Sequence, residues 1–349
     1  MLFAALRDMQ WRKRRLIIAV VSTALIFGMT LVLTGLANGF KVEAQRTVDS
    51  LGVDTFVVKD GAAGPFLGST PFPDLDLARI KAEPGVRNAA PMGVVGTIMK
   101  EGSTTRNVTA WGAPEQGPGM PHVSEGRPPS KPDEVAVSST LGRKIDDTLQ
   151  VGAHVLHIVG IVPNSTALAK IPNIFLTIDG LQQVAYNGQK MVTSIGVVGT
   201  PKQVPDGYQT FDREGGVKDL VRPLKVAVNS ISIVAVLLWV VAVLIVGSVV
   251  YLSALERMRD FAVFKAIGTR SRSIMAGLAL QALVVALLAA ALGVLLSQLL
   301  APLFSMIVAV PTGAYLLLPV VAVGIGLLAS LAGLRRVVRV DPALAFGGP

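Results

Sequence analysis

The sequence has no cysteine, no Gly-Lys dipeptide and little charge: only 16% of its 349 residues are Asp, Glu, Lys or Arg. Without thiols, neither a disulfide scaffold nor a thiolate metal site can be built. Without Gly-Lys there is no P-loop to cradle phosphates, so any ATP must be hydrolysed by a partner. GxSxG, HExxH and EF-hand patterns are missing too, which argues against a hydrolase or protease. Hydrophobic residues fill the chain instead, at 51%, with a mean hydropathy of +0.58. That excludes intrinsic disorder and is too apolar for an ordinary soluble domain.

A net charge of +9 would suit a nucleic-acid binder if it covered a globular surface. Its distribution says otherwise. Residues 40–225 hold 19 Lys or Arg against 19 Asp or Glu and are neutral. The excess comes from Arg7, Arg12, Lys13, Arg14 and Arg15, from Arg257, Arg259, Lys265, Arg270 and Arg272, and from Arg335, Arg336 and Arg339. Each cluster abuts a long apolar run, which is the positive-inside pattern of a membrane protein, and no nucleic-acid partner is expected.

Four charge-free runs, 16–36, 226–252, 275–300 and 314–334, reach the roughly 20 helical residues that cross a hydrocarbon core of about 30 Å. The first resembles a signal peptide in its basic flank, but its length favours an anchor over an h-region of about 7–15 residues. Placing all three basic clusters in the cytoplasm demands an even number of crossings between them. The expected fold class is therefore an α-helical membrane protein with four transmembrane helices plus one large mixed α/β extracytoplasmic domain between helices 1 and 2. Residues 1–15 form a cytoplasmic amphipathic helix, 16–39 helix 1, 40–225 the extracytoplasmic domain with its stalk, and 226–252 helix 2. A cytoplasmic loop, 253–274, leads to helix 3 at 275–300, a short outer loop at 301–313, helix 4 at 314–334 and a cytoplasmic tail at 335–349. The expected location is the plasma or inner membrane, multi-pass, with both termini cytoplasmic.

The spans contain no ionisable residue, which counts against ion-coupled carriers and proton pumps. Their polar groups, among them Asn229, Ser248, Gln281 and Gln298, read as interhelical hydrogen bonds more readily than as a substrate path. Small residues recur at four-residue spacing in Ala282/Ala286/Ala290, Ala322/Gly326/Ser330 and Gly35/Gly39, permitting close helix packing.

Residues 40–225 are enough for an independent core. Runs at 55–59, 93–99, 135–138, 155–162, 174–178 and 193–198 read as strands. Segments 74–82 and 139–147 read as helices capped by Asp74 and Ser139. The Gly/Pro-rich stretch 112–132 reads as a link between two subdomains, and 216–225 as an outward extension of helix 2. His154 and His157 lie three apart on one strand and point to opposite faces, so they cannot share a metal ion. Asp74/Asp76 and Asp146/Asp147 read as helix-end carboxylates, not catalytic pairs. No metal or cofactor site is expected in the chain.

The most informative segment is 253–274. Phe261, Phe264 and Ile267 recur at three-residue spacing with the bases on other faces, so a short amphipathic helix ending near Gly268 is expected. Taken on composition, it serves equally well as a membrane-surface anchor. Residue order adds more. The segment resembles the loop after the second helix in FtsX/MacB-type ABC permeases, S-x-x-E-R-x-R-E-I-G-x-x-K-A-I-G-A. Ser253, Glu256, Arg257, Arg259, Lys265, Ala266, Ile267 and Gly268 match, Asp260 replaces a Glu, and Ala262 stands where Gly is usual. The start, Leu6-Arg7-Asp8-Met9 with Arg12 to Arg15, and the terminal Val340-Asp341-Pro342-Ala343-Leu344-Ala345 are similar to that family's N-terminal helix and C-terminal box.

The resemblance implies a non-enzymatic permease subunit that works as a dimer with a second copy of itself and docks a separate ABC ATPase, which carries ATP and Mg. Glu256, Arg257, Arg259, Asp260, Phe261, Phe264, Lys265, Ile267 and Gly268 would make the coupling contact. Movement of the helices would pass through the stalk to the outer domain for export or extraction of an amphipathic substrate. A signal transducer that controls an envelope enzyme, such as a cell-wall hydrolase, is the alternative, with an envelope or periplasmic protein as partner. Import of a small solute such as an amino acid is weaker, because no polar path lines the helices. Membrane lipid is a partner on every reading.

Overall fold

The computed structural model describes residues 13–102, 104–167, 169–256, 263, 271–304 and 306–338. It divides into two compact units, one made of Met1–Gly39 with Ala227–Pro349 and the other of Phe40–Val226. The long helix α1 (Lys13–Ser50) opens the described chain, followed by β1 (Thr55–Lys59), β2 (Phe72–Pro73) and α2 (Leu77–Ala82). Then come β3 (Val86–Glu101), β4 (Thr104–Ala113), β5 (Glu125–Gly126), β6 (Glu134–Ser138), β7 (Thr148–Val151) and β8 (His154–Val162). Next are β9 (Thr166–Ala167), β10 (Ile171–Thr177), α3 (Ile178–Tyr186), β11 (Met191–Val192), β12 (Ser194–Gly199) and β13 (Tyr208–Asp212). The remaining helices are α4 (Arg213–Val221), α5 (Lys225–Glu256), α6 (Ser271–Leu300) and α7 (Thr312–Val338), with one 3-10 turn (Arg222–Leu224) between α4 and α5. Pro223 sits in that turn, where its missing N–H costs no helical bond.

Among the described residues, three helices are long and apolar enough to cross a membrane: Leu16–Ser50, Arg213–Val249 and Ala279–Leu303. The apolar part of α7, Thr312–Leu328, is shorter. The helical unit closes on a core in which Phe27 and Leu31 of α1 meet Ala282, Ala286 and Ala290 of α6 and Ala322 and Ile325 of α7. Alanines and glycines let the backbones approach: a Cβ on Gly326 would stand 3.2 Å from the backbone of Ala282, and one on Gly28 would stand 3.2 Å from the carbonyl of Gly293.

Two expectations are corrected here. Gly35 and Gly39 receive no helix; they receive the non-helical segment 307–310. Ala309 N–H donates to the Gly35 carbonyl at 2.9 Å, Asn38 Nδ2 donates to the Ala309 carbonyl at 2.8 Å, and any Cβ on Gly39 would overlap the Ile307 carbonyl. Among the described residues, the Ser248 hydroxyl is not an interhelical bridge either. Thr30, Ser248 and Ser297 return their hydroxyls to carbonyls of their own helices, at 2.7–2.8 Å. Asn229 and Gln298 are exposed.

The second unit is built on one mixed sheet in the order β13-β1-β12-β3-β4-β10-β6-β8-β5, with β7 bridging β3 and β8. Pairs β4/β10 and β6/β8 are parallel and the rest antiparallel. The strands expected at 55–59, 93–99, 135–138 and 155–162 lie within observed ones; the one expected at 193–198 starts one residue later, at Ser194, and the one expected at 174–178 ends at Thr177, whose hydroxyl caps α3. Phe56, Phe66 and Trp111 meet edge to face and Trp111 stacks on Phe175 at the centre, where Val48 of α1, Leu51 just after it, and Val217 and Leu220 of α4 join them.

Three local expectations are corrected. Segment 139–147 is not a helix but a single 3-10 turn capped by the Ser138 hydroxyl, because Gly142 at φ 66° reverses the chain after three residues. Asp147 then accepts from Lys144 N–H, and Asp146 adopts φ 72°, neither of which a helix allows. Helix α2 starts at Leu77, and neither Asp74 nor Asp76 caps it with a side chain; the Asp76 carboxylate is taken by the Tyr208 hydroxyl and by Arg79. Stretch 112–132 links no subdomains, since β4 at its start and β6 just after it both pair with β10 in one sheet.

Candidate functional site

Glu256, the first residue of the expected coupling set, is the exposed last residue of α5, and α6 opens at Ser271. Between them Val263 is helical and exposed. Arg257, Arg259, Asp260, Phe261, Phe264, Lys265, Ile267 and Gly268 lie outside the described residues, as do the N-terminal segment before Lys13 and the box at 340–345.

The described residues bring together two other constellations that the reading above passed over. Along α1 the buried residues Leu36, Phe40, Ala44 and Val48 recur every four positions, well past the apolar run. On this stripe Glu43 is only 2% exposed. Burying a carboxylate is costly unless it is fully hydrogen-bonded, and this one is. It accepts from the Thr166 hydroxyl, from Lys170 N–H at 2.8 Å and from Ala169 N–H at 3.0 Å. One turn on, the Thr47 hydroxyl donates to the Thr166 carbonyl at 2.8 Å. Ala169 and Lys170 stand at φ 65° and 63°, in the left-handed region that residues with a Cβ seldom adopt. That conformation turns two successive N–H groups onto one anion.

Asp219 plays the corresponding part on α4, also 2% exposed. Its carboxylate accepts from Phe66 N–H at 2.6 Å and Gly68 N–H at 3.2 Å and pairs with Arg222, whose guanidinium also donates to the Ala63 carbonyl at 2.9 Å. The loop closes so tightly that a Cβ on Gly64 would overlap the Asp219 carboxylate and one on Gly68 the Arg222 guanidinium. A side chain at position 64 would displace the carboxylate, and one at position 68 would push the guanidinium aside.

A third buried acid, Glu134, is held by Arg127 through both guanidinium nitrogens, at 2.6 and 2.8 Å, and by the backbone of Ser130 and Lys131. The Arg127 bonds, then the backbone donors, pull its pKa down to about 2. Asp54 is lowered in the same manner by Gly199 N–H and Arg213. These carboxylates are each engaged by several donors, most of them loop backbone N–H groups or arginine, and so hold local structure. His154 and His157 lie on β8 as expected, the first half-buried and the second exposed, and no group of three or more potential metal ligands occurs among the described residues.

Comparison with known proteins matches two successive regions of the chain. Residues 16–209 match the family model for a MacB-like periplasmic core domain, and residues 232–342 that for an FtsX-like permease C-terminal region. Two uncharacterized ABC transporter permeases of Mycobacterium tuberculosis are 78% and 71% identical over 349 residues, covering the whole of both chains. A putative hemin transport system permease protein of Staphylococcus haemolyticus is 22% identical over 370 residues, covering 99% of each. Among solved structures, the periplasmic region of MacB from Actinobacillus actinomycetemcomitans aligns with 48% of this chain and 92% of its own, at TM-score 0.35 and 11% identity. The extracellular domain of YknZ aligns with 46% and 99%, at TM-score 0.33 and 12% identity.

Proposed function

We propose that this chain, which belongs to the FtsX/MacB-type family of ABC transporter permeases, converts ATP hydrolysis on a separate ATPase into movement of its α/β unit outside the membrane. The movement serves export or extraction of an amphipathic substrate. The observation that carries this reading is the continuity of α1: one unbroken helix, Lys13–Ser50, holds both the charge-free run 16–36 and the buried, fully bonded Glu43. A helix of 38 residues rises about 57 Å, longer than a hydrocarbon core of about 30 Å. Spans with no ionisable group fit a device that moves helices better than one that passes ions through them.

On this reading the chain crosses the membrane four times with both termini and 253–274 in the cytoplasm, pairs with a second copy, and meets an ATPase pair that holds ATP and Mg. Phe261, Phe264 and Ile267 supply the apolar face of the coupling helix, and Glu256, Arg257, Arg259, Asp260 and Lys265 its polar rim, with Gly268 at its end.

Copurification tests the reading. The chain should bring down an ATPase as a 2:2 assembly and hydrolyse no ATP without it. Phe264→Ala, removing a buried anchor, should weaken that association by about 2 kcal/mol, roughly thirtyfold, with insertion unaffected. Unchanged ATPase retention, or a monomeric permease in the complex, contradicts it. Activation of an envelope hydrolase with no ATP-dependent substrate release would replace transport by signal transduction.

A further inference from the structure

We propose that Glu43 and Asp219 are the positioning residues through which helix movement enters the α/β unit, an assignment that rests on the function proposed above. Each sits on a helix that leads into an apolar span: Glu43 within α1 itself, and Asp219 on α4, one 3-10 turn before α5. Each grips a loop by backbone N–H groups, so the hold depends on the loop's path more than on its side chains.

The two loops belong to different parts of one sheet. Thr166, Ala169 and Lys170 stand just before β10, which lies between β4 and β6. The loop at 63–68 follows β1, which lies between β13 and β12. Strands β12, β3 and β4 separate the two attachment points. Moving the helices together therefore carries the sheet as a body, whereas moving one against the other loads the sheet between β1 and β10.

These bonds hold the loop in the folded state, since a side chain that cannot accept would leave its N–H groups buried and unpaired. The same directed bonds fix where the loop lies along the helix axis. Two consecutive left-handed residues at Ala169 and Lys170, which cost energy of their own, are kept for that geometry.

The test uses the full chain with its copurified ATPase in lipid nanodiscs. A dye on Lys144→Cys, in a chain with no native cysteine, reports energy transfer to a labelled lipid headgroup with and without trapped ATP. The native complex should show a nucleotide-dependent change. Glu43→Gln and Asp219→Asn should cut that change at least twofold while ATP hydrolysis continues and the unfolding temperature of the α/β unit stays within a few degrees. Thr47→Val removes one bond to the same loop without touching a charge and should give a smaller cut. It also keeps the idea testable if a carboxylate variant fails to fold. A full-sized change in all three variants overturns the anchor assignment and leaves the coupling function standing. No change in the native complex overturns the coupling function, and the anchors fall with it.

Discussion

The two units treat polar groups in opposite ways. In the helical unit the apolar runs carry no charge, and the hydroxyls of Thr30, Ser248 and Ser297 turn back onto their own helices. In the α/β unit, buried Glu43, Glu134 and Asp219 each gather several donors. The difference follows from solvent. A helix built before it meets its neighbours in hydrocarbon must satisfy its polar groups within itself, whereas a domain folding in water can strip a carboxylate and rebuild its shell from loop backbone. Small side chains give the first unit its cohesion and directed hydrogen bonds give the second its shape.

The sharpest way to break this contrast is to put the second unit's chemistry into the first. Ala286→Asp places a carboxylate at a fully buried point of the helix core and should cost about 3 kcal/mol or more, read as lost membrane insertion or collapse of the detergent-solubilised fold. The reverse experiment is milder. Arg127→Ala leaves Glu134 buried with only the Ser130 and Lys131 donors and should lower the stability of the α/β unit by less, measured as faster amide exchange in β6.

The three long apolar helices found among the described residues, and most strands, were legible in the chain because their signals are long uncharged or β-branched runs. Runs of more than 20 uncharged residues, the short β-branched, fully buried runs of β1 and β6, and the partial alternation in β8 leave few other solutions. Segment 139–147 was misleading because its helical periodicity is overruled by one Gly142 in the left-handed region and by the side chain of Asp147 closing a competing turn. Glu43 was passed over because a lone acid on a helix normally marks a wet face. Only the stripe of Leu36, Phe40, Ala44 and Val48 beside it signals burial, and its partners lie more than 120 residues away. Gly35 and Gly39 announced a close approach correctly, but two glycines four apart do not say whether a helix or a loop arrives.

Acid should separate the units further. The pKa of Glu134 is depressed to about 2 in the folded state, so its contribution is complete above the ordinary carboxylate value of 4.5 and is lost as pH falls from there through about 2. Denaturation midpoints for the α/β unit should drop between pH 5 and pH 3, and Glu134→Gln should flatten that slope. The smallest effect belongs to the helical unit: Thr30→Val removes a bond that serves only its own helix and should change thermal stability by less than about 0.5 kcal/mol.

The contrast is, at bottom, a claim about which parts of the chain meet lipid and on which side the basic loop lies. Single cysteines in place of Lys144 and Lys265, probed in intact cells with a membrane-impermeant maleimide, test it directly. Position 144 should label at once and position 265 only after the membrane is opened. Labelling of position 265 in intact cells would contradict the topology, the coupling segment and the transmission argument together.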